Sequence, residues 1–143
     1  MEVIRFTKWN GMGGLVEHII KETGCTPFSG AGINIRRELQ TALLKSVDDT
    51  PYYDDDLSVP DAIEYTLFGQ IGDQDLNEKR FNEPLLNPVK VQHIYVFRQN
   101  KREKTYYWYG KYQMIGRPMP KRHPDKNGVE RTILVLNLMR INQ

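Results

Sequence analysis

Cysteine, histidine and long apolar runs are scarce in this sequence, and each scarcity excludes a class of function. A single cysteine, Cys25, allows no internal disulfide and fits a reducing cytoplasm. Together with three dispersed histidines, His18, His93 and His123, it does not supply the ligand spacing of a structural zinc site. No apolar stretch approaches the ~20 residues of a membrane span, and no signal-peptide pattern opens the sequence. No lysine follows an Asp or Glu by two positions, so the acid-x-Lys element of metal-dependent nucleases is missing, although a Pro60-Asp61 pair occurs. The glycines of Trp9-Asn10-Gly11-Met12-Gly13-Gly14 lack the Lys-Ser/Thr of a phosphate loop and read as a flexible strand-to-helix turn. Cys25 has no neighbouring histidine and reads as a small buried residue near a helix end.

What is present fits one globular domain. The chain has 143 residues, 39% of them hydrophobic and 27% charged. At that length a domain buries roughly 68–70% of its unfolded surface. The net charge of +2 hides an asymmetry. Residues 1–87 carry 8 Lys/Arg against 15 Asp/Glu, a balance of −7, and residues 88–143 carry 12 against 3, a balance of +9. A basic half of this kind can face phosphates while the acidic half favours solubility. The alternative is that folding mixes the two charges over one surface.

Patterning predicts a short strand at Val3–Phe6 and a helix through "GGLVEHIIKETG", with Leu15, Val16, Ile19 and Ile20 on one face and Gly24 as the stop. From Ile33 the chain reads mostly as strand. "TALLKS" and "IEYTLF" are short strands, and "VKVQHIYVFR" alternates, with Val89, Val91, His93, Tyr95 and Phe97 opposite Ile94 and Val96. "TYYWYGKYQMI" and "RTILVLNLMRI" are longer strands separated by a proline-rich basic loop over residues 116–130. Tyr106, Trp108 and Tyr112 share one strand face and read as core. "LNEKRFNEPLLN" reads as a short helix or a loop. These elements predict an α+β domain with a strongly curved sheet or small barrel.

The densest local signal is "PYYDDDLSVPDAIEYTLFG", Pro51 to Gly69, where aspartates and tyrosines gather. A solvated turn flanked by half-buried tyrosines is one reading. A pocket for a flat, hydrogen-bonding ligand is the other. Asp54, Asp55 and Asp56 could also hold a cation, but carboxylates on an extended chain alternate in direction and cannot converge without a turn.

The spacing of Tyr53-Asp54-Asp55-Asp56 and then Tyr65-Thr66 resembles that of the SRA (SET- and RING-associated) domain family, PUA-like curved β barrels. "GDQDL" at 72–76, "NEPLL" at 82–86, "PVKV" at 88–91 and "YYWYGKYQMI" from Tyr106 are similar to further motifs of that family, in the same order. "AGI", from Ala31 to Ile33, is similar to the Gly-Ile that precedes its site. The resemblance covers about three-quarters of the chain. It implies binding of DNA that carries 5-methylcytosine or 5-hydroxymethylcytosine, with the modified base flipped out of the helix. In bacteria such domains are recognition parts of modification-dependent restriction endonucleases.

Carried over residue by residue, the resemblance makes Tyr53 and Tyr65 the stacking pair and Asp56 the acceptor for the cytosine N4 amine. A backbone N–H near Thr66 would serve N3. Tyr52 and Phe68 stand at the positions beside the C5 substituent, where the family has small residues, and Leu67 replaces a glycine. The long Asn-Lys-Arg finger of eukaryotic members is missing. Gln70, the 77–80 run with Lys79 and Arg80, and the 116–130 loop are the candidates to fill the gap left by the base. Lys101, Arg102, Lys104, Lys111, Lys121, Arg122 and Lys126 are candidate phosphate contacts.

The sequence therefore predicts one SRA-like domain over 1–143, with a strand and helix in 1–30 and a barrel in 31–143. It is expected to be a non-catalytic reader of modified double-stranded DNA in a bacterial or archaeal cytoplasm, with no metal or cofactor and no membrane. A nuclease part beyond Gln143 is expected, a free-standing reader being the alternative. The rival readings are a PUA-like RNA- or small-molecule-binding domain and a metal-dependent nuclease using Asp54–Asp56.

Overall fold

The structure is a computed structural model, and it describes residues 2–28, 30 and 32–141. Ala31 of the Ala-Gly-Ile match lies outside the described residues, as do Met1, Ser29, Asn142 and Gln143.

The elements are β1 (Ile4–Phe6), α1 (Leu15–Thr23), β2 (Ile33–Arg36), a 3-10 turn (Arg37–Leu39), β3 (Thr41–Val47), β4 (Ala62–Thr66), α2 (Asn82–Leu86), β5 (His93–Asn100), β6 (Thr105–Met114), β7 (Met119–Pro124) and β8 (Glu130–Arg140). All eight strands join one sheet in the order β2-β3-β5-β6-β8-β4, with β1 on β6 and β7 on β8. β3 and β5 run parallel and the other pairs antiparallel. The sheet curls until its two ends meet. The Tyr65 hydroxyl of β4 reaches the carbonyls of Gly32 and Lys45, beside and within the β2–β3 end, at 3.1 and 3.0 Å. This is the curved-sheet α+β architecture the patterning predicts.

The β1–α1 turn needs its glycines for geometry. A Cβ on Gly14 would stand 2.8 Å from the Asn10 carbonyl oxygen, and the amides of Leu15 and Val16 bond back to Lys8 and Trp9. Gly24 closes α1 in the left-handed region at φ 75°. The segment is a turn between β1 and α1, as the glycine pattern predicts.

The hydrophobic side chains fall into two clusters. The larger fills the concave side of the sheet with Leu44, Ile63, Leu67, Leu85, Val96, Tyr112, Leu136 and others. The smaller seats α1 through Leu15 and Ile19 against Leu43, Phe97, Trp108 and Cys25. Cys25 is thus a buried filler beyond the helix end.

Three expectations change. β5 starts at His93, and Val89 lies in a turn, 75% exposed, because the amides of Lys90 and Val91 bond back to the Asn87 carbonyl. A bulge between Val96 and Phe97 shifts the register against β6. Tyr109 is the extra residue, skipped between Gly110 opposite Val96 and Trp108 opposite Phe97, and it resets the alternation of β6, so that Trp108 lies under α1 while Tyr109 and Tyr112 enter the main core. Tyr106, Trp108 and Tyr112 therefore do not share one face. Finally, the 116–130 loop contains β7. Its prolines Pro120 and Pro124 are tolerated because β7 pairs with β8 alone.

Phe97 joins the bulge to the α1 cluster with no exposed surface. Phe97→Ala is expected to cost about 3–5 kcal/mol, read as a lower urea midpoint at unchanged m-value.

Candidate functional site

A cavity of about 610 Å³ opens where the ends of the curled sheet meet. Tyr52, Tyr53 and Asp55 from the loop after β3 line it, as do Tyr65 and Thr66 of β4 and Phe68 and Gln70 beyond it. Trp9, Lys45, Gln99, Lys101 and Tyr106 line it as well. Of the residues predicted to read a base, the structure brings together Tyr52, Tyr53, Tyr65, Thr66 and Phe68.

Asp56 is the exception. Its backbone pairs with Glu64 of β4 through two 2.9 Å hydrogen bonds. The carboxylate is exposed and accepts the hydroxyl and amide of Ser58, which hold it below the usual carboxylate range. It lines a neighbouring concavity and not this cavity. The acid in the cavity wall is Asp55, one residue earlier, because adjacent residues of an extended chain face opposite ways.

Asp55 stitches β3 to β4. One carboxylate oxygen accepts the Thr66 amide at 2.7 Å and the other accepts the Ser46 hydroxyl at 2.7 Å. The Thr66 N–H is thereby engaged and does not point free at a ligand, as the resemblance would have it. The Thr66 hydroxyl in turn accepts the Asp54 amide at 2.9 Å. Removal from water pushes the Asp55 carboxyl up to about 6, against the opposing pull of the Thr66 and Ser46 hydrogen bonds. Burial raises Tyr65 well above its ordinary value, with the Asp55 charge adding to it. Tyr53 is raised by burial too, opposed by the Gly69 amide that donates to its hydroxyl at 3.4 Å.

The three aspartates thus part company: Asp54 pairs with Lys121, Asp55 with Ser46 and Thr66, and Asp56 with Ser58. No group of three or more metal-ligating side chains forms among the described residues.

The cavity rim is braced by polar side chains that bond to its backbone. Arg131 of β8 is 2% exposed, and its guanidinium donates to the carbonyls of Tyr52 at 2.6 Å, Gly69 at 2.5 Å and Gly72 at 3.1 Å. It ties the loop after β3 to the loop after β4. The one sequence signal is its phase: it occupies an inward position with Ile133 and Val135 on the alternation of β8. Gln74, in the Asp-Gln-x-Leu match, donates to the carbonyls of Leu67 and Gly69 and accepts the Leu134 amide. Asn82, in the Asn-x-x-Leu match, accepts the Phe68 amide and donates to the Phe68 and Asp75 carbonyls. These motif residues hold the pocket backbone.

Most of the predicted phosphate and gap contacts are partnered within the protein. Lys121 braces Asp54, Arg102 pairs with Asp49 at 3.6 Å, and Arg122 with Glu130 at 4.0 Å. Arg80 pairs with Glu78 and lies 4.9 Å above the Phe68 ring. Lys111 and Lys126 lie 5.8 Å from the Tyr95 and Tyr52 rings, and Lys126 also reaches the exposed Gln70 at 3.4 Å. Lys79, Lys101 and Lys104 are exposed, the last two at the β5–β6 turn.

No family model matches the sequence, and no curated protein matches it. Solved structures do match. The modification-dependent TagI restriction endonuclease superposes with TM-score 0.56 at 16% identity, over 100% of this chain and 50% of that one. The DNA modification-dependent restriction endonuclease AspBHI gives 0.65 at 16%, over 94% and 40%. The SUVH5 SRA domain in complex with methylated CHH DNA gives 0.59 at 22%, over 89% and 84%. The chain spans half or less of the two endonuclease chains. It has the fold of SRA domains and of modification-dependent restriction endonucleases, a curled sheet with two short helices. Among the described residues no helix is long and apolar enough to cross a membrane.

The raised Asp55 pKa makes the fold bind a proton that the unfolded chain releases near 3.8, so stability falls as pH rises from about 4 to about 6. Asp55→Asn is expected to flatten this decline, on the order of 3 kcal/mol, in urea titrations from pH 4 to 7. Arg131→Met strands three carbonyls and is expected to lower the melting temperature by roughly 10 °C.

Proposed function

We propose that this chain recognises double-stranded DNA containing a C5-modified cytosine, 5-methyl or 5-hydroxymethyl, by taking the everted base into the 610 Å³ cavity. Tyr53 and Tyr65 supply the aromatic walls and Asp55 the acid. The observation that carries this reading is a part-buried carboxyl set among tyrosines at the seam of an SRA-fold sheet.

Everting a base costs a few kcal/mol of stacking and pairing. Contacts with aromatic rings return roughly 1–3 kcal/mol each. A carboxylate accepts the cytosine N4–H and repels the O4 of thymine. A carboxyl with a pKa of about 6 can also stand protonated, donating to N3 while its carbonyl oxygen accepts N4–H. This supplies the N3 donor that the engaged Thr66 amide cannot. Tyr52 and Phe68 flank the site and shape the space for the C5 substituent. Lys79, Lys101 and Lys104 contact backbone phosphates.

The likeness to SUVH5 and to the endonucleases supports a recognition role, with catalysis in a separate nuclease part, fused or in another chain. The cell compartment of such a reader is wherever modified DNA is met, here proposed as a prokaryotic cytoplasm.

Duplexes that differ only at one cytosine test this by fluorescence anisotropy. Wild type is expected to prefer C5-methyl- or hydroxymethylcytosine over cytosine. Asp55→Asn keeps an acceptor for Thr66 but turns a donor on the N4 amine, and it should lose about 10- to 100-fold of that preference. Asp56→Ala should keep it. Equal binding of modified and unmodified duplex by wild type, or tighter binding of structured RNA, would sink the proposal.

A further inference from the structure

The loop after β4 exposes an apolar side chain at the cavity rim. Gln70 lines the cavity, and Ile71, the next residue, lies outside that lining and is 64% exposed. Single exposed apolar residues are ordinary on protein surfaces, but this one sits on a loop that is tied down on both sides. Buried Arg131 donates to the carbonyls of Gly69 and Gly72, and Gln74 also donates to Gly69. From the other side, the Gly72 amide donates to the Asp125 carboxylate at 3.2 Å, and the Gln70 carbonyl accepts the Lys126 amide at 2.8 Å. Gly69 at φ 139° and Gly72 at φ 72° adopt backbone conformations that other residues rarely take, and these two turns set residues 70 and 71 at the tip.

The loop that supplies Asp125 and Lys126 is braced in the same way. The Asp125 carboxylate accepts the Asn127 and Val129 amides at 2.8 and 3.0 Å, and Val129 is 61% exposed. Two loops bonded to each other thus each present a β-branched apolar side chain, stiff at χ1. Residues 68–72 and 126–129 contain no acid, and Lys126 is the one charge among them. Nothing on these tips repels a phosphate backbone.

We propose that Ile71 is an apolar wedge that enters the base stack of a bound duplex at the place the modified nucleotide vacates. It rests on the base-reading function above, which supplies the eversion. Withdrawal of one base bares the apolar faces of its neighbours to water. An aliphatic side chain covers those faces, and this offsets part of the few kcal/mol that unstacking costs. A loose loop would lose about 1–2 kcal/mol per residue in becoming ordered, whereas the bonds from Arg131, Gln74 and Asp125 fix this one beforehand. A protein partner fits less well. Two apolar side chains cover far less than the roughly 800 Å² that a specific protein interface buries on each partner, whereas single inserted side chains do unstack DNA.

A duplex with 2-aminopurine beside 5-methylcytosine brightens when the stack opens, and free 5-methyldeoxycytidine reports on the base pocket alone. Wild type is expected to bind the nucleoside and to bind the modified duplex with brightening. Ile71→Ser should bind that duplex about 10- to 100-fold more weakly, with little brightening, and bind the nucleoside as wild type does. Its melting temperature should match wild type, because the side chain is exposed. Ile71→Leu should restore most of the affinity. Placing the modified cytosine opposite an abasic site, where eversion is cheap, should shrink the Ile71→Ser loss. Unchanged duplex binding and brightening in Ile71→Ser would overturn the wedge and leave base reading standing. An equal loss on modified and unmodified duplex, with brightening intact, would overturn it as well and mark Ile71 as an ordinary surface contact. A parallel loss of nucleoside binding would also overturn it, by assigning Ile71 to the shape of the cavity. If wild type binds no nucleoside and shows no preference for modified duplex, yet brightening still depends on Ile71, base reading is rejected and the wedge stands.

Discussion

The seam between the two ends of the sheet is held by side chains, and the site exists because of it. β4 and the β2–β3 end close the curl without a backbone ladder between them among the described residues. In its place the Tyr65 hydroxyl reaches Gly32 and Lys45, and Asp55 spans Ser46 and Thr66. A ladder would bring the strands to about 4.8 Å and leave no room between them. Longer side-chain bridges keep the ends apart, and the space they hold open is the cavity. The residues that close the fold and the residues proposed to meet a base are thus the same.

Such a seam has a cost. A carboxyl removed from water is destabilised in its charged form, which is why its pKa rises toward neutrality. The same shift makes Asp55 chemically versatile, able to accept hydrogen bonds or to donate one near neutral pH. Arg131 follows a similar logic on the rim, where three main-chain carbonyls solvate a buried guanidinium. Its Nε finds no partner among the described residues, a deficit accepted where loop geometry matters more than local stability. With Gln74 and Asn82 it fixes the backbone on which Tyr52, Phe68 and Gln70 are mounted.

β7 shows how charge and topology interact. Read as a loop, its lysine and arginine are free for phosphates. As an edge strand it instead braces the pocket: Lys121 holds Asp54, and the His123 ring meets the Pro51 carbonyl at 2.9 Å. The basic half of the chain thereby spends part of its charge on the acidic half.

Strand and helix positions were largely legible in the sequence, because period-2 and period-3.6 patterns follow from the local backbone. So was the meeting of Tyr53, Tyr65 and Thr66, through spacing that resembles a known family. The choice between Asp55 and Asp56 was not. It depends on which residue pairs with Glu64, and one step of register sends a side chain to the opposite face. Nor were the bulge at Val96–Phe97, the prolines of β7 or the clasp of Arg131. Each arises from residues far apart in the chain, and local pattern carries no record of which distant partner will arrive.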